Sequence, residues 1–182
     1  NVADFYYIDE NYLDILNIPV VEGANFSSEK SSPYDLLISR KCAEMLKMNN
    51  GWTDGVVGKQ IEITEHNSRG ANPIVGIFPD FIVGSMTNAD SRPSVFFYLP
   101  HSRFEQLKVK YPSFTVYVLA KARPGVGAGA MDRITSVFNA HLPFMDASVS
   151  SLADEQQQCY RPERGFRNAM MAGNFVILLV TA

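Results

Sequence analysis

Three features of the sequence predict an α+β fold. Strand-helix-strand patterns occur at residues 1–23 and again at 112–152, and a run of short strands fills residues 24–111 between them. The two outer patterns read as the halves of a ferredoxin-like split motif that carries the run of strands as an insertion. At 182 residues, the chain can bury one sizeable core or two small subdomains that share one.

The first unit opens at residues 2–8, whose loose alternation and Phe and Tyr content suit a strand. Asp9 stands at an N-cap position, and Tyr12, Leu13, Leu16 and Ile18 follow at helical spacing. Pro19 is expected to stop that helix, and residues 19–22 read as a second strand ending at Gly23.

In the insertion, residues 35–39 form a strand that feeds a helix over 40–48, with Cys42, Met45 and Leu46 on one face. Residues 56–64 and 73–78 read as strands joined by Glu65-His66-Asn67-Ser68-Arg69-Gly70, a polar stretch suited to a hairpin loop. A further strand spans 94–99 between Pro93 and Pro100. The second outer unit begins with the clearest strand pattern in the chain, 114–120. An amphipathic helix carrying Met131, Ile134, Val137 and Phe138 follows, and residues 144–152 alternate as a half-buried strand.

From residue 153 the chain is polar, with Asp154, Glu155, Arg161, Glu163, Arg164 and Arg167, and then carries no charge from 168 to 182. Phe175-Val176-Ile177-Leu178-Leu179-Val180 is continuously apolar but shorter than the roughly 20 residues of a membrane span. The run is either a C-terminal core segment or the first turns of a transmembrane helix. Its end at Thr181-Ala182 without a polar cap, together with a start that lacks Met, favours the second reading. The chain is thus expected to be a piece of a longer membrane protein, with residues 153–182 as a stalk helix running into a membrane helix.

Composition excludes several functions. A net charge of −3 leaves no basic excess for general nucleic-acid binding, and two cysteines cannot build a disulfide scaffold. Gly55-Val56-Val57-Gly58-Lys59-Gln60 fails as a phosphate loop, because its glycines are too close and Gln replaces Ser or Thr. Gly125, Gly127 and Gly129 lie in dinucleotide-site order but with the wrong spacing. His66, His101 and His141 are far apart, so a metal site is not expected. Cys42 reads as a buried free thiol, and Ser27-Ser28-Glu29-Lys30 lacks the companion motifs of a serine acyl-enzyme. Asp80, Asp90 and Asp154 read as caps of turns or helices, and no catalytic constellation is found.

Several strings together resemble the extracytoplasmic domain of MacB-like, FtsX-type ABC transporter permeases. Residues 12–26, containing Ile18-Pro19, Gly23 and Phe26, are similar to the family's opening helix and turn. Val57-Gly58-Lys59-Gln60-Ile61 resembles its Gly-Lys strand entry, and Ile74-Val75-Gly76-Ile77-Phe78-Pro79-Asp80-Phe81 its Val-Gly and Asp-Phe hallmark. Cys159-Tyr160-Arg161-Pro162-Glu163-Arg164 resembles the stalk before a membrane helix. Asn17 stands where Gly is usual, Asn25 where Arg is usual and Pro79 where Lys is common.

The resemblance implies a porter-like split subdomain, residues 1–23 and 112–152, with an inserted Sabre-like subdomain over 24–111. It marks Gly23, Phe26, Gly58, Lys59, Val75, Gly76, Asp80, Phe81, Tyr160, Arg161 and Glu163 as structural motif residues. It carries over no catalytic, metal-binding or cofactor-binding residue. The implied function is a non-catalytic domain facing the periplasm from the inner membrane, coupling ATP hydrolysis on a cytoplasmic ABC ATPase to movement outside. Implied partners are that ATPase, the membrane through flanking helices, a periplasmic adaptor or substrate protein, and a second copy in a dimeric transporter. The alternative reading is a ligand-sensing extracytoplasmic domain of a receptor, and a soluble enzyme using the glycine loop comes third.

Overall fold

The computed structural model describes residues 3–63, 70–81, 92–110, 117–121, 129–141 and 149–152. Its α+β architecture is a six-stranded mixed sheet with four helices among those residues. The strands are β1 (Asp4–Ile8), β2 (Glu22–Gly23), β3 (Leu36–Ser39), β4 (Gln60–Ile61), β5 (Asn72–Phe78) and β6 (Ser94–Tyr98). They run in the order β1-β6-β3-β5-β2, with β4 beside the start of β5. The β1–β6 and β3–β5 pairs are parallel; β3–β6, β2–β5 and β4–β5 are antiparallel. Strands from residues 1–23 and from residues 24–111 therefore share one sheet.

The middle of the sheet explains why these segments read so plainly as strands. β3 and β6 are buried along their whole length, and such strands appear as unbroken apolar runs, here Leu36-Leu37-Ile38 and Val95-Phe96-Phe97-Tyr98. Alternate side chains supply two cores. Leu36, Ile38, Val95, Phe97 and Ile74 pack with Cys42, Ala43 and Val56. Leu37, Phe96, Tyr98 and Phe78 pack with Ile8, Leu13 and Phe26.

Helix α2 (Arg40–Asn50) follows β3 directly, as expected, and runs two residues beyond the expected end at 48. The Ser39 hydroxyl accepts from the Cys42 amide at 3.3 Å, and Gly51 ends the helix in the left-handed conformation at φ 65°. Helix α1 (Tyr12–Ile15) departs from expectation at both ends. Its N-cap is Asn11, without a side-chain cap, and the Asp9 carboxylate accepts from the Asn11 amide instead. Its stop is Asn17 at φ 54°, two residues before Pro19. The Ile18 amide donates to Leu13 O at 2.8 Å and the Asn17 amide to Asp14 O at 3.2 Å, which is the Schellman pattern.

Other expectations are corrected. The strand expected over 56–64 is reduced to β4, because residues 56–59 form a turn in which the Lys59 amide donates to Val56 O at 3.0 Å. Helix α3 (His101–Lys110) was not expected; its sequence offers only Phe104 and Leu107 as a weak apolar stripe. Residues 117–121 form no strand, and Tyr117 and Val118 are exposed. Residues 149–151 form no strand either. The remaining parts of these two expected strands, 114–116 and 144–148, lie outside the described residues. Helix α4 (Gly129–His141) forms where its stripe predicts, with Met131, Ile134 and Val137 exposed.

The chain groups into two compact units, Asn1–Val83 with Asp90–Lys121, and Gly84–Ala89 with Ala122–Ala182. The stalk expected over 153–182, including Tyr160, Arg161 and Glu163, lies outside the described residues. Among the described residues no helix is long and apolar enough to cross a membrane.

Candidate functional site

The motif residues that fall within the described part gather around β5. Gly76 pairs with Gly23 of β2, and this meeting holds the sheet edge through Val21 N–H to Ile77 O at 2.8 Å and Ala24 N–H to Val75 O at 3.0 Å. Two reasons require glycine. Gly23 has φ +78°, and a Cβ there would run into Val75 O. A Cβ on Gly76 would lie 2.7 Å from Ala24 O, 2.9 Å from Leu37 Cδ2 and 3.0 Å from Glu22 O.

The same place carries an irregularity in the sheet. Leu36 is opposite Ile74 while Leu37 is opposite Gly76, so β5 has one residue more than β3. This bulge resets the alternation: Ile74 and Ile77 both join the α2-side core, and Phe78 joins the other. Val75, the extra residue, packs at the margin of the Phe78 core.

Phe26 and Phe81 belong to that second core. Phe78 stacks on Phe96 with ring centroids 4.4 Å apart, and Phe81 stacks over both at 5.8 and 6.1 Å. Phe26 meets Tyr98 at 5.2 Å. Asn25 sets the entry of Phe26, since its Oδ1 accepts from the Phe26 amide at 2.8 Å and its Nδ2 donates to Glu10 O at 3.0 Å. Tyr98 Oη donates to Glu10 Oε2 at 3.2 Å; burial, then the nearby Glu10 carboxylate, pushes the phenol pKa up.

Asp80 caps a helix, though not one that it precedes. Its Oδ1 accepts from the Lys41 amide at 2.8 Å, so the N-terminus of α2 is closed by Ser39 from its own strand and by Asp80 from the end of β5. The Ser39 hydroxyl also accepts from the Ser94 amide at 3.1 Å, which ties β6 to the same point. Beneath it, Cys42 is buried and free, and burial followed by the Asp80 charge pushes its thiol pKa up to about 11. A thiol held neutral in this way is a poor nucleophile.

Gly58 and Lys59 form the turn into β4. Gly58, at φ 84°, donates its amide to Ile74 O at 2.8 Å, and Lys59 O accepts from the Ile74 amide at 2.9 Å. The Lys59 ammonium reaches Asp54 at 2.8 Å and lies 6.0 Å from the Trp52 ring centre, on the surface.

Sequence reasoning missed several residues that matter locally. Asn72 is buried, donates to Tyr34 O at 2.9 Å and leaves its Oδ1 without a partner; nothing in the sequence marks it. Asp35 is buried and accepts from the Ser32 amide at 3.0 Å; burial raises its carboxyl pKa against the lowering effect of that bond. Among the described residues no three His, Cys, Asp or Glu side chains gather as a metal would need.

The fold and these residues define an α+β domain with a mixed sheet, in which the described motif positions serve backbone fit, capping and ring packing. The sequence profile of the MacB-like periplasmic core domain matches residues 1–137, and the chain belongs to that family, the periplasmic core of ABC transporter permeases. Among solved structures, the periplasmic region of MacB from Actinobacillus actinomycetemcomitans superposes with a TM-score of 0.51 at 12% identity. That match covers 87% of this chain and 66% of the other. A domain of a protein described as a permease, from Porphyromonas gingivalis, gives a TM-score of 0.47 at 19% identity, covering 75% of this chain and 53% of that one. The chain thus spans about half to two thirds of the length of these structures. No curated protein sequence matches it.

Proposed function

We propose that this chain is the non-catalytic periplasmic part of a MacB- or FtsX-type permease. It converts nucleotide-driven closure of a cytoplasmic ABC ATPase into movement outside the inner membrane, for export or for signalling to a periplasmic partner. The family membership over residues 1–137 is the observation that carries this reading. The use of the motif residues supports it. Gly23 and Gly76 fit two strands together, Asp80 caps a helix and Phe26 and Phe81 fill a core, which is what a body that passes on motion needs. In this reading residues 153–182 form the stalk through which the movement arrives, and the working transporter is a dimer.

Purification of the membrane protein that carries this chain tests the proposal. An ABC ATPase is expected to co-purify, and loss of residues 1–152 is expected to abolish ATP-dependent transport or partner activation while leaving ATP binding intact. A kinase or other signalling domain in place of an ATPase would contradict it.

A further inference from the structure

Asn50-Gly51 is the chain's one Asn-Gly pair, and it ends helix α2 with both residues exposed. Each serves the helix end. Gly51 takes the left-handed conformation at φ 65° with nothing within 4 Å of where a Cβ would lie, so glycine is there for its backbone alone. Its amide donates to Lys47 O, as does the Trp52 amide at 3.1 Å. The Asn50 carboxamide turns back along the helix, where Nδ2 donates to Leu46 O at 2.9 Å.

We propose that this pair is a site of spontaneous deamidation, held back by the closed end of α2 and released when that end frays. The Gly51 backbone nitrogen, once its proton is lost to solvent base, attacks Asn50 Cγ; the new N–Cγ bond closes a five-membered succinimide, and Nδ2 leaves as ammonia. Water then opens the ring. Attack at Cγ gives aspartate, and attack at the main-chain carbonyl gives isoaspartate, whose chain runs on through Cβ and Cγ with one extra backbone atom. Glycine favours ring closure because it has no side chain to crowd the attacking nitrogen. In the closed helix end the same nitrogen is engaged with Lys47 O, and the carboxamide it must reach is bonded to Leu46 O. Both bonds must open first, and a helix end opens locally without unfolding the core.

Isoaspartate does not fit the closed end. Its extra atom displaces Gly51 and Trp52 from Lys47 O, and its free carboxylate faces the negative end of the helix. Trp52 packs against the α2-side core, so the modification reaches that core through it. None of this depends on a role in transport.

The test keeps the full chain at mildly alkaline pH, folded or unfolded in guanidinium, and follows the amide-to-acid change at position 50 by peptide mapping and mass spectrometry. Acid is expected there in both states, about ten- to a hundredfold more slowly in the folded chain, where two hydrogen bonds must open. Met48→Gly loosens the last turn at a residue that is 76% exposed. It is expected to raise the folded-state rate about three- to fivefold and to leave the unfolded-state rate unchanged. Guanidinium below the unfolding transition is expected to change the folded-state rate less than about twofold, since fraying exposes little surface. In the isolated isoaspartate form, acrylamide quenching of Trp52, the single tryptophan, is expected to rise about twofold. Asn50→Asp, with the same added charge and an ordinary backbone, is expected to show a smaller rise. Absence of acid at position 50, equal folded and unfolded rates, or a folded-state rate that climbs in step with global unfolding overturns the proposal. Unchanged quenching in the isoaspartate form, or an equal rise in Asn50→Asp, overturns it too.

Discussion

Gly76→Ala is the substitution whose consequence the structure specifies most fully. The new methyl would sit 2.7 Å from Ala24 O and 3.0 Å from Glu22 O, both backbone atoms of the β2 segment, and 2.9 Å from Leu37 Cδ2 in the core. A leucine methyl can give way, but the two carbonyls can retreat only if β2 moves off β5. That movement strains Val21 N–H to Ile77 O and Ala24 N–H to Val75 O, the bonds that fix this sheet edge. Overpacking costs about 1–3 kcal/mol, and each of the two weakened backbone bonds adds about 0.5–1.5 kcal/mol, so a loss of roughly 2–6 kcal/mol is expected. Urea denaturation followed by Trp52 fluorescence measures it, because Trp52 packs against the α2-side core. Gly129→Ala is the control: its Cβ would meet nothing closer than Arg133 Nη1 at 3.9 Å. Gly23→Ala is expected to cost a similar amount, and the double variant less than the sum, since both displace the same strand. A loss below about 0.5 kcal/mol for Gly76→Ala would show that this glycine is not there for backbone approach.

Three further outcomes follow from other parts of the molecule. Asn17→Val should destabilise by about 1–2 kcal/mol, because a β-branched residue must take the left-handed conformation, whereas Asn17→Gly should stay within about 0.5 kcal/mol; the same urea curves decide. Cys42 has its thiol raised from 9.0 to about 11, so folding favours the neutral form. The corresponding stability is full below pH 9 and is lost as pH rises towards 11, and native Cys42 should alkylate far more slowly at pH 8 than in urea. The raised carboxyl of Asp35 likewise contributes stability that is complete below the ordinary carboxylate pKa and lost as pH rises through the raised value. Asp35→Asn, which keeps an acceptor for the Ser32 amide, should therefore gain on the natural chain at neutral pH, with the gain shrinking as denaturation curves are taken towards pH 3.

The elements legible in the sequence were those fixed by burial on both faces or by local caps. Leu36–Ser39, Ser94–Tyr98 and α2 with Ser39 before it could be read directly, because their neighbours act within a few residues. Pro19 is a louder stop signal for α1 than Asn17, although the backbone turns at Asn17. Val56 and Val57 look like strand residues, yet they pack into the α2-side core from a turn that bonds to β5. The motif glycines and Asp80 could be recognised from the family resemblance, but their work could not. Gly23 meets Gly76 across the sheet, and Asp80 caps a helix amide 39 positions away, distances that no local pattern encodes.

Relay of nucleotide-driven movement by this domain is measured by spin-label distances in the assembled transporter in its membrane. Labels at the exposed Lys30 of the two copies in the dimeric transporter report on the movement of the domain without touching the motif residues. The distance distribution is expected to shift between the nucleotide-free and ATP-bound states and to return after hydrolysis. Identical distributions in all nucleotide states would contradict it.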